Sequence, residues 1–229
     1  KVVRCYMNPF QREVYLKTLE EYSKDSLDKE STASANFVFP VLDEAKKDVI
    51  GAYSKDGINV VLNQLKTSRE LYLKKLNEKF FNNKVTNINE ILRESSNGTN
   101  VSGLILHESM LKIFSTKFYE ALVNINNLVE GKEGSKTCFV YSNLVKVGID
   151  LFQEVLKANG YLEFRDDGLY ALTDSVREYK TGMLYGDYRK KYNNEKFYPA
   201  TFLAFTGETD GEEAVQPEEK KRLLNIFVV

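Results

Sequence analysis

The sequence predicts an α/β fold, a parallel sheet with helices on both faces, joined to an N-terminal helical subdomain or insertion. Two segments carry the sheet. Cys138-Phe139-Val140-Tyr141 closes on Ser142-Asn143 and runs into an amphipathic helix, and Thr201-Phe202-Leu203-Ala204-Phe205 closes on Thr206-Gly207 in the same manner. Strands linked through helix-containing connections pair in parallel, so residues 137–141 and 200–205 are expected in one sheet. Upstream, residues 43–94 keep a helical period, which sets the helical part.

Taken in order, Val2-Val3-Arg4-Cys5-Tyr6-Met7 reads as a strand. A helix then starts with Asn8 as N-cap, Pro9 in the first helical position and Gln11 where a capping-box partner belongs, and Phe10, Val14, Leu19 and Tyr22 mark its apolar face. Residues 24–36 are polar and read as a loop or linker, and Phe37-Val38-Phe39-Pro40 as a short extended stretch ended by proline. Helical hairpins follow over 43–94, with Leu62, Leu65, Leu71, Leu73 and Leu76 inside and a break near Asn82-Asn83-Lys84. Ser95-Ser96-Asn97-Gly98-Thr99-Asn100 is a turn-rich boundary that divides the chain into 1–100 and 101–229. A single helix is expected over Leu111 to Val129, then the strand at 137–141, then a helix over about 144–158 stopped by Asn159-Gly160. Periodicity loosens over about 165–197, which reads as an insertion opened by the turn Asp166-Asp167-Gly168. After the strand at 200–205 come an acidic loop at 207–216 and a last helix begun by Pro217-Glu218-Glu219.

The 229 residues are 42% apolar and 28% charged, enough for one large core or two modest ones. A net charge of −1 gives no global attraction to polyanions, so any nucleic-acid contact must be local. Cys5 and Cys138 lie far apart in apolar segments and read as buried thiols in a reducing, intracellular compartment. No run reaches the roughly 18 apolar residues of a membrane span, and no signal peptide opens the chain. Without an initiator Met, and ending on Phe227-Val228-Val229, the sequence reads as an excised piece of a longer chain.

Nucleophile-base constellations and metal-ligand spacings are missing. His107, the single histidine, reads as a capping or packing residue at a helix start. Asn97-Gly98-Thr99 and Asn100-Val101-Ser102 fit a glycosylation acceptor but read as plain loop. Gly131-Lys132 lacks the upstream glycine and the following Ser/Thr of a phosphate-cradling loop, so this piece is not expected to hydrolyse ATP alone.

The strand exits carry more. Ser142 and Asn143 can cap the next helix or meet a phosphate, and Lys146 in its first turn is opposed by the helix dipole, a misfit that a polyanion would relieve. Thr206-Gly207 offers a hydroxyl and close backbone approach, or simply a turn. Tyr185-Gly186-Asp187-Tyr188-Arg189-Lys190-Lys191-Tyr192, followed by Lys196, interleaves rings with positive charge. That pattern suits stacking on bases and neutralising phosphates, and equally suits buried tyrosines with a wet basic side. The candidate nucleic-acid contacts are therefore Ser142, Asn143, Lys146, Thr206 and Gly207, with Arg189, Lys190 and Lys191 as a second patch.

Several of these residues carry a resemblance. Ser115 and Lys117 opening a helix, Lys136-Thr137-Cys138-Phe139-Val140-Tyr141-Ser142, Leu151, Leu156, Gly160, Phe205-Thr206-Gly207 and Glu218 through Phe227 together resemble the C-terminal RecA-like domain of superfamily 2 helicases, in the Swi2/Snf2-like branch. More narrowly, Arg4-Cys5-Tyr6-Met7, Phe10-Gln11, Tyr15 and Tyr141 through Gly148 are similar to helicases of large nucleocytoplasmic DNA viruses, of the early-transcription-factor type. That resemblance implies a truncated second RecA-like lobe over 101–229, with Tyr141-Ser142-Asn143 as motif IV. It implies DNA or RNA backbone and a first RecA-like lobe as partners, with transcription machinery as a further one, in the cytoplasm, a viral factory or the virion. ATP and Mg would belong to the parent protein, since the Walker A, DEAD-type and later motifs are missing here. The insertion at 165–197 departs from the compact family core, and no arginine finger can be assigned. A rival class remains open, in which 43–94 docks a polymerase or other protein and the α/β part is scaffold.

Overall fold

The computed structural model describes residues 2–21, 29–132, 134, 137–193, 195–205, 218 and 221–224. Residues 2–8 form no strand: Val2 and Tyr6 are exposed, and among the described residues nothing pairs with their backbone in a ladder. Helix α1 (Pro9–Glu21) begins where the sequence places it, with the Asn8 carboxamide accepting from the Phe10 N–H at 3.2 Å. Its buried stripe is Gln11, Val14 and Thr18, while Leu19 faces solvent and Phe10 packs alongside the core. Gln11 is no capping-box partner. Its buried amide donates to the Ser34 and Ala35 carbonyls and accepts from the Thr116 N–H, tying α1 to two distant segments.

Part of the expected linker is helical. Helix α2 (Lys29–Asn36) buries Ala33, Ser34 and Asn36, because small residues let it lie against α1. Residues 24–28 fall outside the described segments. The next surprise is a hairpin, β1 (Phe39–Asp43) against β2 (Asp48–Ala52), where a helix was expected from Asp43. Asp43 explains the turn: its carboxylate accepts from the N–H groups of Ala45 and Lys46, both at 3.1 Å, and Lys47 adopts a left-handed φ of 51°. Those bonds hold Asp43 below the usual carboxylate range. Proline does not end the extended stretch, since Pro40 lies inside β1 opposite Gly51. Gly51 is required there, for an added Cβ would lie 2.3 Å from Val14 of α1.

Helices α3 (Ser54–Thr67) and α4 (Arg69–Leu76) then form the helical region, and α4 runs into a π turn at Asn77–Phe81. The break falls where the sequence places it, at Asn82 and Asn83, whose φ values of 50° and 57° end the helix. Helix α5 (Ile88–Ile91) leads to a short hairpin of β3 (Arg93–Glu94) and β4 (Val101–Ser102), and the turn-rich 95–100 segment is its loop. Gly103 follows with φ of 126°, its Cα so close to the Ile91 carbonyl that a Cβ would sit 2.5 Å away.

The single helix expected over 111–129 is two, α6 (Glu108–Phe114) and α7 (Thr116–Val129). Ser115 breaks it by leaving helical geometry to cap α7, accepting from the Phe118 N–H at 3.0 Å and donating to the Asn36 carbonyl. His107 caps α6 through its ring nitrogen. Further on, a π turn at Val145–Asp150 enters α8 (Leu151–Ala158), which ends at Asn159-Gly160 with Gly160 at φ of 90°.

The sheet differs most from expectation. Residues 137–141 form no strand and Thr137, Cys138, Phe139 and Tyr141 are exposed, so the apolar run at 138–141 has no ladder partner among the described residues. Thr201–Phe202 (β6) does pair in parallel, with Leu162–Glu163 (β5) instead. Between them lies α9 (Tyr185–Lys191). Among the described residues there are three two-stranded sheets, so the chain is mixed helix and strand, compatible with an α/β fold. Both cysteines are exposed, contrary to the buried thiols expected, because their segments are not covered.

One buried cluster draws on both sides of position 100, from Ala33 to Phe202. Phenylalanine rings run through it: Phe10 meets Phe80 at 5.1 Å, Phe80 meets Phe114 at 5.2 Å, Phe37 meets Phe39 at 4.7 Å, and Phe118 meets Phe152 at 5.1 Å. Burying two rings of this size contributes several kcal/mol at about 25 cal/mol per Å².

Two predictions follow from this packing. Gln64 both donates to the Leu42 carbonyl at 2.7 Å and accepts from the Leu42 N–H at 2.8 Å, in a buried setting. Gln64→Leu strands both groups, so urea unfolding is expected to lose about 2–5 kcal/mol, while the exposed Thr67→Ala stays within about 0.5 kcal/mol. A loss under 1 kcal/mol would show that Leu42 finds other partners. The second concerns alkali. Burial raises the Tyr72 and Tyr161 phenols well above their usual value of 10. Since the folded values exceed the unfolded ones, this stabilisation is complete below pH 10 and is lost as pH rises further. Absorbance titration should show both phenols ionising only with unfolding, and Tyr72→Phe should remove part of that alkaline sensitivity.

Candidate nucleic-acid interface

The first candidate patch sits at the entry to α8. A π turn forms there because the Ile149 N–H reaches the Leu144 carbonyl, five residues back, at 3.1 Å. Leu144 occupies the N-cap without a side-chain bond, so Ser142 does not cap the helix. Its hydroxyl instead accepts from the Leu144 N–H at 3.2 Å and donates to the Leu144 carbonyl at 3.1 Å, closing a local turn. Gly148 makes room for this, since a Cβ there would lie 2.2 Å from the Ser142 hydroxyl. Asn143 is exposed beside it.

Lys146 stands in the first turn as expected, and its dipole misfit is relieved within the chain. Asp150, one turn on, pairs with it at 3.3 Å, and the Lys146 carbonyl accepts from the Asn100 carboxamide at 3.1 Å. Both side chains are partly shielded, so the pair competes with any external anion. Thr206 and Gly207 lie outside the described residues, as does the acidic loop at 207–216. The last helix is described only at Glu218 and 221–224, where Arg222 reaches Asp166 at 3.3 Å.

The second patch belongs to the 165–197 segment. Arg165 and Asp167 pair at 2.8 Å around the expected turn, and the guanidinium holds the Asp167 carboxyl below its usual range. Beyond it the chain doubles back. Arg177 bridges to Leu184 and Glu178 to Pro199, while the Ala200 N–H donates to the Arg177 carbonyl at 2.7 Å. Glu178 is only 1% exposed, and one carboxylate oxygen accepts from the Lys180 N–H, the Thr181 N–H and the Thr181 hydroxyl at 2.7–2.9 Å. A buried acid is thereby spent on fixing one tight turn.

Helix α9 carries Arg189, Lys190 and Lys191 in its last turn, where the dipole favours cations. All three are exposed. Arg189 lies 5.5 Å over the Tyr185 ring, Lys191 lies 5.2 Å over Tyr192, and Lys190 pairs with Asp187 at 3.0 Å. Tyr188 is the buried anchor, its ring against Phe197 and its hydroxyl donating to the Lys196 carbonyl at 3.3 Å. One tyrosine of the run is buried, and rings and cations alternate on its wet side. An open depression of about 520 Å³ beside the helix is bordered by Asp174 and Asp187 as well as by Arg189 and Lys190.

Sequence reading missed three members of this surface. Tyr179, Lys180 and Tyr198 are brought together because the Tyr179 N–H donates to the Tyr198 carbonyl at 3.0 Å. The two rings meet edge to face at 6.0 Å. Lys180 lies 5.6 and 5.5 Å over Tyr179 and Tyr198, and Lys196 lies 4.8 Å over Tyr198. The available signal was a count: six cations against three acids from Arg177 to Lys196, in a chain otherwise near neutral.

Among the described residues no three His, Cys, Asp or Glu side chains cluster to hold a metal ion, and Gly131 lies in an open turn after α7 with no cradle around it. No helix among them is long and apolar enough to cross a membrane.

No family model and no solved structure matches the chain. It is similar to a protein of Acanthamoeba polyphaga mimivirus named as an ATP-dependent RNA helicase, with 40% identity over 235 residues. That alignment takes in 98% of the chain, which spans 20% of the length of the mimivirus protein.

Proposed function

We propose that this chain is part of a viral ATP-dependent nucleic-acid helicase or translocase and supplies contacts to the nucleic-acid backbone. The supporting observation is the 40% identity across nearly the whole chain to a mimivirus protein named as an RNA helicase. Residues 101–229 would belong to a second RecA-like lobe of the superfamily 2 type, with 165–197 inserted, and 1–100 to its helical part. The reading requires the exposed apolar run at 138–141 to gain strand partners and a covering layer from the parent protein. RNA is the substrate favoured by the relative's name, and transcription in a viral factory or the virion is the process.

In this scheme ATP and magnesium bind elsewhere in the parent protein, facing a first RecA-like lobe. The residues here hold and release the strand. Ser142, Asn143 and Lys146 offer a hydroxyl, an amide and a cation at one turn, with Thr206 and Gly207 as further contacts, and Arg189, Lys190 and Lys191 offer a second cationic line. Phosphate and sugar carry no base identity, so such contacts slide along any sequence. Asp150 holds Lys146 while no phosphate is present and would be displaced by one.

Two measurements test this reading. The parent coding sequence should contain a Walker A loop upstream, and the parent protein should hydrolyse ATP faster when RNA is added; absence of both would end the helicase reading. In that protein Lys146→Ala should weaken single-strand binding equally across sequences and lower the log-log salt slope by roughly 0.7. Asp150→Asn should act in the opposite direction, strengthening binding by freeing the lysine. If neither changes affinity or slope in folded protein, Lys146 serves only the α8 entry. Retention of a polymerase by the 43–94 region in a protein with no RNA affinity would favour the interaction-module class instead.

A further inference from the structure

We infer that Tyr179, Tyr198, Lys180 and Lys196 form a binding surface for unpaired bases of a single-stranded nucleic acid, with the two rings as stacking faces and the two lysines as phosphate contacts. The inference rests on the helicase reading for the identity of the polyanion but uses residues outside the backbone contacts proposed above. Three observations carry it. First, both rings reach solvent, Tyr179 at 38% and Tyr198 at 41% exposed, although a tyrosine pair serving only the core would be covered. Second, cations are at hand: Lys180 lies over both rings and Lys196 over one, and a base that takes the ring face turns the ammonium toward the phosphate beside it.

Third, the surface is held in advance. The turn bearing Tyr179 and Lys180 is fixed by the buried Glu178 carboxylate, and the segment bearing Lys196 and Tyr198 is fixed by the Tyr188 hydroxyl and by the Tyr179 N–H. Preorganised rings stack without the ordering cost that a flexible loop would incur. Stacking is indifferent to base identity, because every base has a π face, which suits an enzyme that must pass along any sequence. A duplex keeps its bases stacked inside and offers this surface only its phosphates. The surface therefore discriminates single from double strand.

The experiment uses the full-length parent protein, with fluorescently labelled oligouridine, the corresponding single-stranded DNA, and a blunt RNA duplex, each titrated across a salt series. Tyr179→Leu and Tyr198→Leu keep apolar bulk but lose the stacking face. Each is expected to weaken both single strands roughly 5- to 150-fold and leave duplex binding unchanged, whereas Tyr179→Phe and Tyr198→Phe stay within about two-fold. Lys180→Ala with Lys196→Ala should lower the single-strand salt slope by about 1.4. Equal loss on single strand and duplex, or Leu variants that bind as the parent does with melting temperature kept, overturns the inference. If the parent retains RNA-stimulated ATPase while the Leu variants bind normally, only this surface is wrong. If the parent binds no single strand and hydrolyses no ATP, the helicase reading falls and takes the surface with it.

Discussion

The fold depends on buried side-chain amides that satisfy backbone groups no ladder reaches. With only two-stranded sheets among the described residues, many buried N–H and C=O groups lack a strand partner, and each would cost about 1–3 kcal/mol if left bare. Gln11, Gln64, Asn77 and Asn159 take that role. Gln64 pairs with both backbone groups of Leu42 and Asn77 with both of Val85, each acting as one rung of a missing strand. Asn159 ties the end of α8 to the Leu106 carbonyl and the Glu108 N–H, so α6 and α8 share one joint. Among the described residues every buried side-chain polar atom has a partner.

This explains which parts of the fold could be read from sequence. Helix ends were legible wherever a local rule fixes them: Asn8 before Pro9, the left-handed Asn82-Asn83, and Asn159-Gly160 each act within one turn. What could not be read depends on partners far away. Gln11 sits at a capping-box position, yet its amide serves carbonyls at 34 and 35 and an N–H at 116, which no short window contains. The Asp43 turn is a local signal that was outweighed by helical periodicity around it. Apolar β propensity at 137–141 failed for a related reason, because a strand is defined by its neighbours and the described residues supply none.

The candidate site divides along the same line. Residue types were legible at Ser142, Asn143 and Lys146, but not their existing commitments, since the Asp150 pair and the Leu144 turn appear only once the π turn is built. The π geometry adds one residue to the turn and brings Ser142 against Gly148. On the second patch the rings and cations of α9 were visible as a run, whereas Tyr179 and Tyr198 are nineteen positions apart and are brought together by a backbone bond.

A strand-tracking surface also has an upper bound on how tightly it should hold. Each step of a translocating enzyme breaks the contacts of the last, so a grip worth much more than the energy of one cycle would stall it. Exposed ion pairs such as Lys190 with Asp187 are worth about 0–1 kcal/mol and exchange freely. Half-exposed rings contribute more, about 1–3 kcal/mol per base, without demanding one base over another. Lysines resting on those rings must leave them when a base stacks, which lowers the net gain per step and favours fast exchange over deep binding. A net charge of −1 over the whole chain keeps nonspecific attraction low, so under the proposed function the strand would be held where rings and cations coincide and released when it moves off them.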